Sequence, residues 1–519
     1  MNKLYIYMKH GMVVLLALAM TACNDYLDEA PTKSNGTTIE TVEQLSALMN
    51  NYHFNKAIEY NMVAILSSDA YAVDTTYYNK GLKFLGTASE PYQYACWQMQ
   101  HTANVNEKVC LWNQDYERIY TANLVLSTVN DVEGSQAEKE VAAQRAHLIR
   151  AYNNLDLVQY YCLPYGENTK ASLGLPLKAT THYDENVQRA SLQETYDFIE
   201  KDILEAVKLQ EPLMKGNVRQ DWTETGALAN AVAARFYLLT EQYDKAQKYA
   251  EAALSFGDDL MDYNAGDELK MDIKQSIDWT TLQITEERTS SFYAASTSND
   301  NIAKLDRAYY LRKNYYLGDS RYWGIPSATL LNAYNKQYDQ RYIHFIEPKG
   351  QTKYYFGMYA SQFLVDVPAY FTFDSQYSNA PNVAEMHLII AEAQARQGKV
   401  ADAMNTLNAF RAKRISNKAP ADVINLCATS AQEAVKCVLD ERLREFPFSL
   451  RWYDIRRVNF NSDPNDDITV TRTFYDMNEY SVLTAKKTYT LNADIHNYAV
   501  AIPNAEISAG NGQILQNNY

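Results

Sequence analysis

The side chains that could do covalent chemistry are present in this sequence, but they do not form a known catalytic pattern. The chain lacks GxSxG, HExxH and GxxxxGK[ST] motifs and a strand-flanked GxGxxG motif. Its histidines are scattered without the spacing of metal ligands. They are His10, His53, His101, His147, His182, His344, His387 and His496. The sequence therefore predicts a protein that is not an enzyme, with no catalytic residue, no metal site and no cofactor.

A glycosidase would need only two suitably spaced carboxylates, and the chain has 63 Asp and Glu residues. The sequence alone cannot single out such a pair. A surface glycoside hydrolase therefore remains an alternative.

Aromatic side chains offer a second kind of chemistry, which is recognition without reaction. The chain contains 42 Tyr, and residues 309–377 hold 19 aromatic residues, most of them Tyr or Trp. Each such ring has an apolar face and a hydrogen-bonding tip, which suits the C–H face and the hydroxyls of a pyranose. Packing of a large irregular region with few glycines is the alternative, and we expect most of these tyrosines to be structural.

One charged stretch, from Glu441 to Arg457, alternates Arg and Glu with large aromatic residues and reads ERLREFPFSLRWYDIRR. Buried bidentate ion pairs and guanidinium stacking would fix a helix against its neighbours in such a stretch. A pocket for an acidic ligand or a glycan is the functional alternative. We favour the structural interpretation.

The amino terminus predicts export. Lys3 and Lys9 precede an apolar run from Met12 to Met20, which is too short to span a bilayer and is typical of a signal peptide over residues 1–22. The following Thr-Ala-Cys23 has the pattern of a bacterial lipoprotein processing site, and an ordinary signal with a chance cysteine is the alternative. The net charge of −15 argues against nucleic-acid binding.

The remaining chain is predicted to be mostly helical. Residues 23–37 are polar and suit a tether, and apolar residues at three and four residue spacing predict helices from Val42 to Tyr52, over about 112–130 and over 140–161. Two helix hairpins of tetratricopeptide type are predicted at about 221–257, beginning at Asp221 and Glu224, and at about 383–410. Residues 38–260 and 261–519 are predicted as two regions.

The cysteines do not predict a metal site or a full disulfide framework. Five remain besides Cys23, an odd number with no CxxC motif. Cys96 with Cys110, or Cys427 with Cys437, could form a bridge, but each is also compatible with a small core residue.

Several segments taken in order resemble the SusD/RagB family of Bacteroidota nutrient-binding lipoproteins. The resemblance lies in Cys23–Asp28, in the helix from Leu111 to Asn123, in Arg150–Gly166, in Ala384–Ala393, in the 441–457 stretch and in Ala501–Pro503 with Glu506 and Gln516–Asn517. Together these segments cover nearly the whole chain.

The resemblance implies a tetratricopeptide-like helical scaffold and a loop-rich half that contacts ligand. It further implies that Cys23 carries lipid such as palmitate, that the protein lies in the outer membrane facing the cell exterior, and that it delivers oligosaccharides to a SusC-like TonB-dependent transporter. A peptide-binding member of the same family is an alternative. The glycan-binding residues carried over by position are Trp97, Asn104, Trp279, Tyr309, Tyr310 and Trp323.

Overall fold

The computed structural model describes most of the chain from residue 39 onward. The described residues are 39–55, 58–59, 62–73, 75, 89–103, 110–182, 185, 187–264, 271–278, 283–290, 309–311, 314–316, 325–353, 364–370, 376–477, 483–493 and 497–519. Cys23, Asn104, Trp279 and Trp323 lie outside these residues. Within the described ranges, none of the helices combines the length and the apolar character needed to cross a membrane.

The described residues are mostly helical, as predicted. The helices in chain order are α1 (Val42–Asn55), α2 (Met62–Leu66), α3 (Ser89–Ala95), α4 (Leu111–Thr128), α5 (Gln136–Tyr161), α6 (Leu192–Ala206), α7 (Gly226–Leu239), α8 (Tyr243–Phe256), α9 (Ala328–Ala333), α10 (Gln340–Phe345), α11 (Val383–Arg396), α12 (Val400–Ala412), α13 (Ala421–Ile424), α14 (Ala431–Glu445), α15 (Arg451–Val458) and α16 (Asn504–Ala509). Single 3-10 turns occupy Met99–His101 and Glu167–Thr169.

The strands form small separate sheets rather than one large one. They are β1 (Ile58–Glu59), β2 (Leu173–Pro176), β3 (Arg189–Ser191), β4 (Met214–Lys215), β5 (Val218–Arg219), β6 (Met271–Asp278), β7 (Gln283–Ser290), β8 (Asn314–Tyr316), β9 (Ile346–Lys353), β10 (Leu364–Tyr370), β11 (Gln376–Tyr377), β12 (Val470–Met477) and β13 (Leu483–Leu491). Five antiparallel pairs form, namely β2 with β3, β4 with β5, β6 with β7, β9 with β10 and β12 with β13, and β8 lies between a parallel β1 and an antiparallel β11.

Both predicted helix hairpins are confirmed. Helices α7 and α8 are joined by a short turn in which Glu241 has a positive φ of 58°, and α11 and α12 by a turn in which Gly398 has a φ of 75°. The predicted start of the first hairpin was early, because Thr225 caps α7 by accepting a hydrogen bond from the amide of Leu228. Glu224 instead forms a buried ion pair with Arg145 on α5.

The two hairpins pack against each other although they are far apart in sequence. Arg235 of α7 donates to both carboxylate oxygens of Glu385 on α11, at 2.8 and 2.6 Å, and both side chains are buried. Alanines such as Ala233, Ala250 and Ala391 are fully buried between the helices, where their small size permits close approach. His387 of α11 lies at the rim and contacts Asp258.

The 441–457 stretch has the structural role that we favoured. Its ionic side chains lie in the interior, where Arg457 donates to both oxygens of Glu392 at 2.6 and 2.7 Å and to Asp454 at 2.9 Å. Asp454 also accepts from Arg442, which links α14 to α15. The guanidinium groups therefore join the carboxy-terminal helices to the second hairpin.

Candidate functional site

The segment of residues 66–72, which follows α2, is the meeting point of several parts of the chain. The indole N–H of Trp97 donates to the carbonyl oxygen of Ser67 at 3.0 Å, and the hydroxyl of Ser67 donates to the carbonyl oxygen of Tyr94 at 2.9 Å. These contacts fix the described residues that precede Asn104. We call residues 97–103 the foot of the predicted Asn104 loop.

The second loop foot is residues 325–327, just after Trp323. The backbone N–H of Ala72 donates to the carbonyl oxygen of Ile325 at 2.9 Å, and the backbone N–H of Ser327 donates to the carbonyl oxygen of Ala70 at 2.7 Å. The hydroxyl of Ser327 also donates to the carbonyl oxygen of Asp69 at 2.6 Å. The feet of the Asn104 and Trp323 loops are thus held by the same seven-residue segment.

Arg472 of β12 fixes the backbone of this segment through hydrogen bonds. Its guanidinium donates to the carbonyl oxygens of Leu66, Ser68 and Tyr71 and lies 4.5 Å from the ring centroid of Trp97. Burial lowers the pKa of Arg472 to about 10. Backbone carbonyls and an aromatic face, rather than a carboxylate, are therefore its direct partners.

Asp69 connects the segment to the 441–457 stretch. Its two carboxylate oxygens accept hydrogen bonds from Arg451, the first residue of α15, at 2.8 and 2.7 Å. Both side chains are buried. A residue of the helical scaffold therefore sets the position of the segment on which the loops stand.

The β12–β13 hairpin completes the polar edge of this region. The hydroxyls of Tyr92 and Tyr489 lie 2.6 Å apart, and Tyr489 donates to Asp476 at 2.9 Å. The ammonium group of Lys486 donates to the hydroxyl of Thr75 at 3.1 Å. We call the surface built from residues 66–72, 92–103, 325–327 and the β12–β13 hairpin the loop-bearing face.

Tyr309 and Tyr310 lie on a different support. The backbone carbonyl of Tyr309 accepts hydrogen bonds from Arg219, and Tyr309 forms a β-bridge with Asn382 at the start of α11. Tyr310 is fully buried, and its hydroxyl donates to the carbonyl oxygen of Gly257 at 3.3 Å. Burial raises the pKa of the Tyr310 hydroxyl.

The six predicted glycan-binding residues therefore divide into three groups. Trp97 and Tyr310 are 1% and 0% exposed, so they offer no ring face to a ligand, and their predicted stacking role is corrected to one of packing. Tyr309 is half-buried. Asn104, Trp279 and Trp323 lie outside the described residues, and their roles remain predictions.

The residues that the sequence prediction missed are Asp69 and Arg472. A signal for Arg472 was present, because strand alternation from Val470 to Phe474 puts Arg472 on the same face as those two apolar residues. No signal marked Asp69, since its partner Arg451 is distant in sequence. The cysteine question is also answered for the described chain, in which Cys96, Cys110, Cys162, Cys427 and Cys437 form no disulfide bond with one another.

Comparison with solved structures identifies the fold. A SusD superfamily protein from Bacteroides vulgatus is 18% identical with a TM-score of 0.60, covering 92% of this chain and 99% of the other. Surface glycan-binding protein A from Bacteroides uniformis is 14% identical with a TM-score of 0.60 and the same coverage. A laminarin-binding SusD-like protein is 13% identical with a TM-score of 0.55, covering 92% and 99%.

Family models match nearly the whole chain. Residues 25–238 match a model described as starch-binding and associating with the outer membrane, and residues 165–519 match the model of the SusD family. No curated protein matches the sequence. Since the second model alone covers more than half of the chain, this protein belongs to the SusD family.

Proposed function

We propose that this protein captures oligosaccharides at the cell surface without catalysis and passes them to a SusC-like TonB-dependent transporter. Its family model is described as starch-binding and outer-membrane-associated, and two similar structures are named as glycan-binding and laminarin-binding. The family and these structures are thus described as binders rather than as enzymes. The lipid on Cys23 would hold the protein at the membrane, since acyl chains anchor durably when more than one is present.

The observation that carries the proposal is that two predicted ligand loops share one support. The foot of the Asn104 loop and the foot of the Trp323 loop both hydrogen-bond to residues 66–72. A rigid segment that fixes two loops together lowers the entropy cost of ordering them around a ligand. Ring stacking would then contribute about 0.5 to 1.5 kcal/mol per contact, which suits reversible capture and release.

The test is a comparison of two tryptophan variants in calorimetric titrations with starch oligosaccharides and laminarin oligosaccharides. We expect Trp323→Ala to weaken binding by about two- to tenfold, which is the loss of one stacking contact. The control is Trp222→Ala, because Trp222 is half-buried just before α7 and belongs to neither loop foot. Equal binding by the wild type and Trp323→Ala would remove Trp323 from the site. Release of reducing ends from the bound glycan would show that the protein is a hydrolase.

Delivery and anchoring are tested separately from ligand binding. Replacement of Cys23 by Ala should move the protein out of the detergent phase in phase partitioning and abolish its labelling by palmitate. The wild-type protein should copurify with a transporter from membranes of its own source. Unchanged partitioning of the variant would contradict the lipid anchor without affecting the binding proposal.

A further inference from the structure

A cavity of about 800 Å³ lies between α4, a wall formed by residues 176–182, 185 and 187, and the carboxy-terminal residues 506–514. This volume is in the range of cavities that bind small molecules. Its walls come from three separate parts of the chain. Of the predicted glycan-binding residues that the structure describes, Trp97, Tyr309 and Tyr310 do not line it.

One wall of the cavity is a row of aromatic rings on α4. Trp112, Tyr116 and Tyr120 follow each other at four-residue intervals, so they lie on one face of the helix, about 6 Å apart along its axis. Their exposure increases along the row, from 3% at Trp112 to half-buried at Tyr116 and 52% at Tyr120. The row thus has a packed floor and an open ring at the mouth.

The floor is fixed by ring packing and by a hydrogen bond. Trp112 packs edge-on against Tyr161 with ring centroids 5.1 Å apart and lies 4.9 Å from the Tyr116 centroid. The Tyr116 hydroxyl donates to the carbonyl oxygen of Pro176 at 2.9 Å. These contacts prevent the rings from collapsing into the space beside them.

The second wall, residues 176–182, 185 and 187, is held in place by the scaffold. The amide of Asn123 donates to the carbonyl oxygens of Lys178 and Thr180 at 3.2 and 3.0 Å, and its own oxygen accepts from Arg150. The ammonium group of Lys178 donates to the backbone oxygen of Glu185, whose carboxylate accepts from the Ala179 amide. These contacts position Lys178, Thr180 and Glu185 without a ligand.

The third wall, residues 506–514, is anchored by hydrogen bonds of the residues that follow it. The amide of Gln516 pairs with both backbone groups of Ile502, and the amide of Asn517 donates to the carbonyl oxygens of Tyr161 and Val500. Between these anchors, Asn511 and Gly512 have positive φ angles of 49° and 75° and turn the chain at the edge of the cavity. The side of the cavity opposite the rings is therefore also preformed.

The chemistry of the lining points to a neutral, hydroxyl-rich ligand. Facing the rings are hydroxyl and amide side chains, including Thr180, Thr181, Asn511 and Gln513. A purely apolar ligand would leave these groups without hydrogen bonds, which is costly. An acidic ligand would meet the carboxylates of Glu185 and Glu506 on a protein with a net charge of −15. Lys178 also lines the cavity, but its ammonium group already donates to the backbone oxygen of Glu185.

We propose that this cavity is a second carbohydrate-binding site, in which a neutral saccharide stacks on Tyr120 and hydrogen-bonds to the amides and hydroxyls opposite. A sugar combines an apolar ring face with hydroxyls, so it matches both walls at once. The site does not depend on the loop-bearing face. The two regions are nevertheless joined in space, because the backbone N–H of Asn504, at the start of α16, donates to the carbonyl oxygen of Ala103 on the loop-bearing face at 2.9 Å.

Hydroxyl-radical footprinting of the full mature chain tests this proposal. The probes are the hexasaccharides of starch, laminarin, cellulose and xylan at millimolar concentration, with oligogalacturonate as an acidic probe. We expect at least one neutral hexasaccharide to lower the oxidation of Tyr120, and oligogalacturonate to leave it unchanged. No protection of Tyr120 by any neutral probe overturns the proposal, and equal protection by oligogalacturonate overturns the neutral class.

The same experiment separates this site from the proposed function. Protection of Trp279 and Trp323 without protection of Tyr120 would support the loop-borne site and overturn the cavity site. Protection of Tyr120 without protection of the two tryptophans would support the cavity site and overturn the loop-borne site.

A pair of variants then locates the contact. Tyr120→Ala should lower the affinity for the protecting saccharide by about two- to tenfold. The matched control is Leu204→Ala, at a residue that is 47% exposed on α6 and does not line the cavity. Equal affinity of Tyr120→Ala and Leu204→Ala would overturn the stacking role.

Discussion

The arginines around Glu441 in the helical scaffold and Arg472 beneath the loop-bearing face are stabilised by different partners. In the scaffold, Glu441 of α14 accepts hydrogen bonds from Arg341, Arg411 and Arg444. Burial by itself would raise the pKa of Glu441, but the guanidinium groups hold it well below its usual range. Beneath the face, Arg472 instead donates to backbone carbonyls, and burial lowers its pKa.

This difference has a structural reason. A carboxylate projects from a side chain, so an ion pair fixes one helix against another whatever the path of the loops. A carbonyl belongs to the backbone, so an arginine that binds several carbonyls fixes the path of the loop itself. We therefore expect substitutions in the scaffold to change stability alone, and substitutions beneath the face to change both stability and ligand binding.

The largest effect is expected from Trp97→Ala. This change empties a fully buried site and removes the ring that faces Arg472, so the free energy of unfolding should fall by about 5 kcal/mol. Chemical denaturation measures it. Trp97→Phe should lose less, because a ring remains over the guanidinium. A stable Trp97→Ala protein with weakened glycan binding would restore the original stacking role of Trp97.

Glu441→Gln should lower the free energy of unfolding by about 3 to 4 kcal/mol, because three buried arginines lose their shared carboxylate. The matched control is the neighbouring Asp440→Asn, which removes an exposed pair with Lys436 and should cost less than about 0.5 kcal/mol. Glycan affinity of the folded Glu441→Gln protein should equal that of the wild type. A change in affinity would contradict the separation of scaffold and face.

A smaller effect is expected from the buried histidine of α10. Burial lowers the pKa of His344 from 6.5 to about 4, so between these values the unfolded chain binds a proton that the folded chain does not. Stability is therefore greatest above pH 6.5 and should fall by about 2 kcal/mol on acidification to pH 4.5. Denaturant midpoints measured across this pH range should change less in His344→Gln than in the wild type.

Identical slopes in the wild type and in His344→Gln would contradict the role of His344. Below pH 4.5 the buried carboxylates, whose pKa values the neighbouring arginines lower, add further acid sensitivity in every variant.

The scaffold could be predicted from sequence because its signals are local. Apolar residues at three and four residue spacing located α1, α4 and α5, and small alanines located the hairpins. The one helix start that was placed early, at Asp221 and Glu224, failed because Glu224 pairs with Arg145 on α5 rather than with its own helix. Such a contact between distant segments leaves no trace in the local pattern.

The face could be predicted only in part for the same reason. Trp97 resembles a ligand-binding tryptophan in type and position, but its contacts with Ser67 and with Arg472 of β12 make it a core residue. The tyrosine enrichment was interpreted more successfully, since Tyr334 is buried and Tyr370 packs against Phe448 with ring centroids 5.0 Å apart. The composition predicts that aromatic rings pack this region, but it does not indicate which rings are exposed to solvent.

The smallest expected effect, the loss of a helix cap, compares the scaffold with the loop-bearing face most directly. Ser135 caps α5 in the scaffold and Ser327 caps α9 at the foot of the Trp323 loop, and each accepts a hydrogen bond from its helix amide. Ser135→Ala and Ser327→Ala should each lower the free energy of unfolding by about 1 kcal/mol. Only Ser327 also donates to the carbonyl oxygen of Asp69, so only Ser327→Ala should weaken glycan binding in calorimetry. Equal binding by both variants would mean that the loop feet do not position the ligand loops.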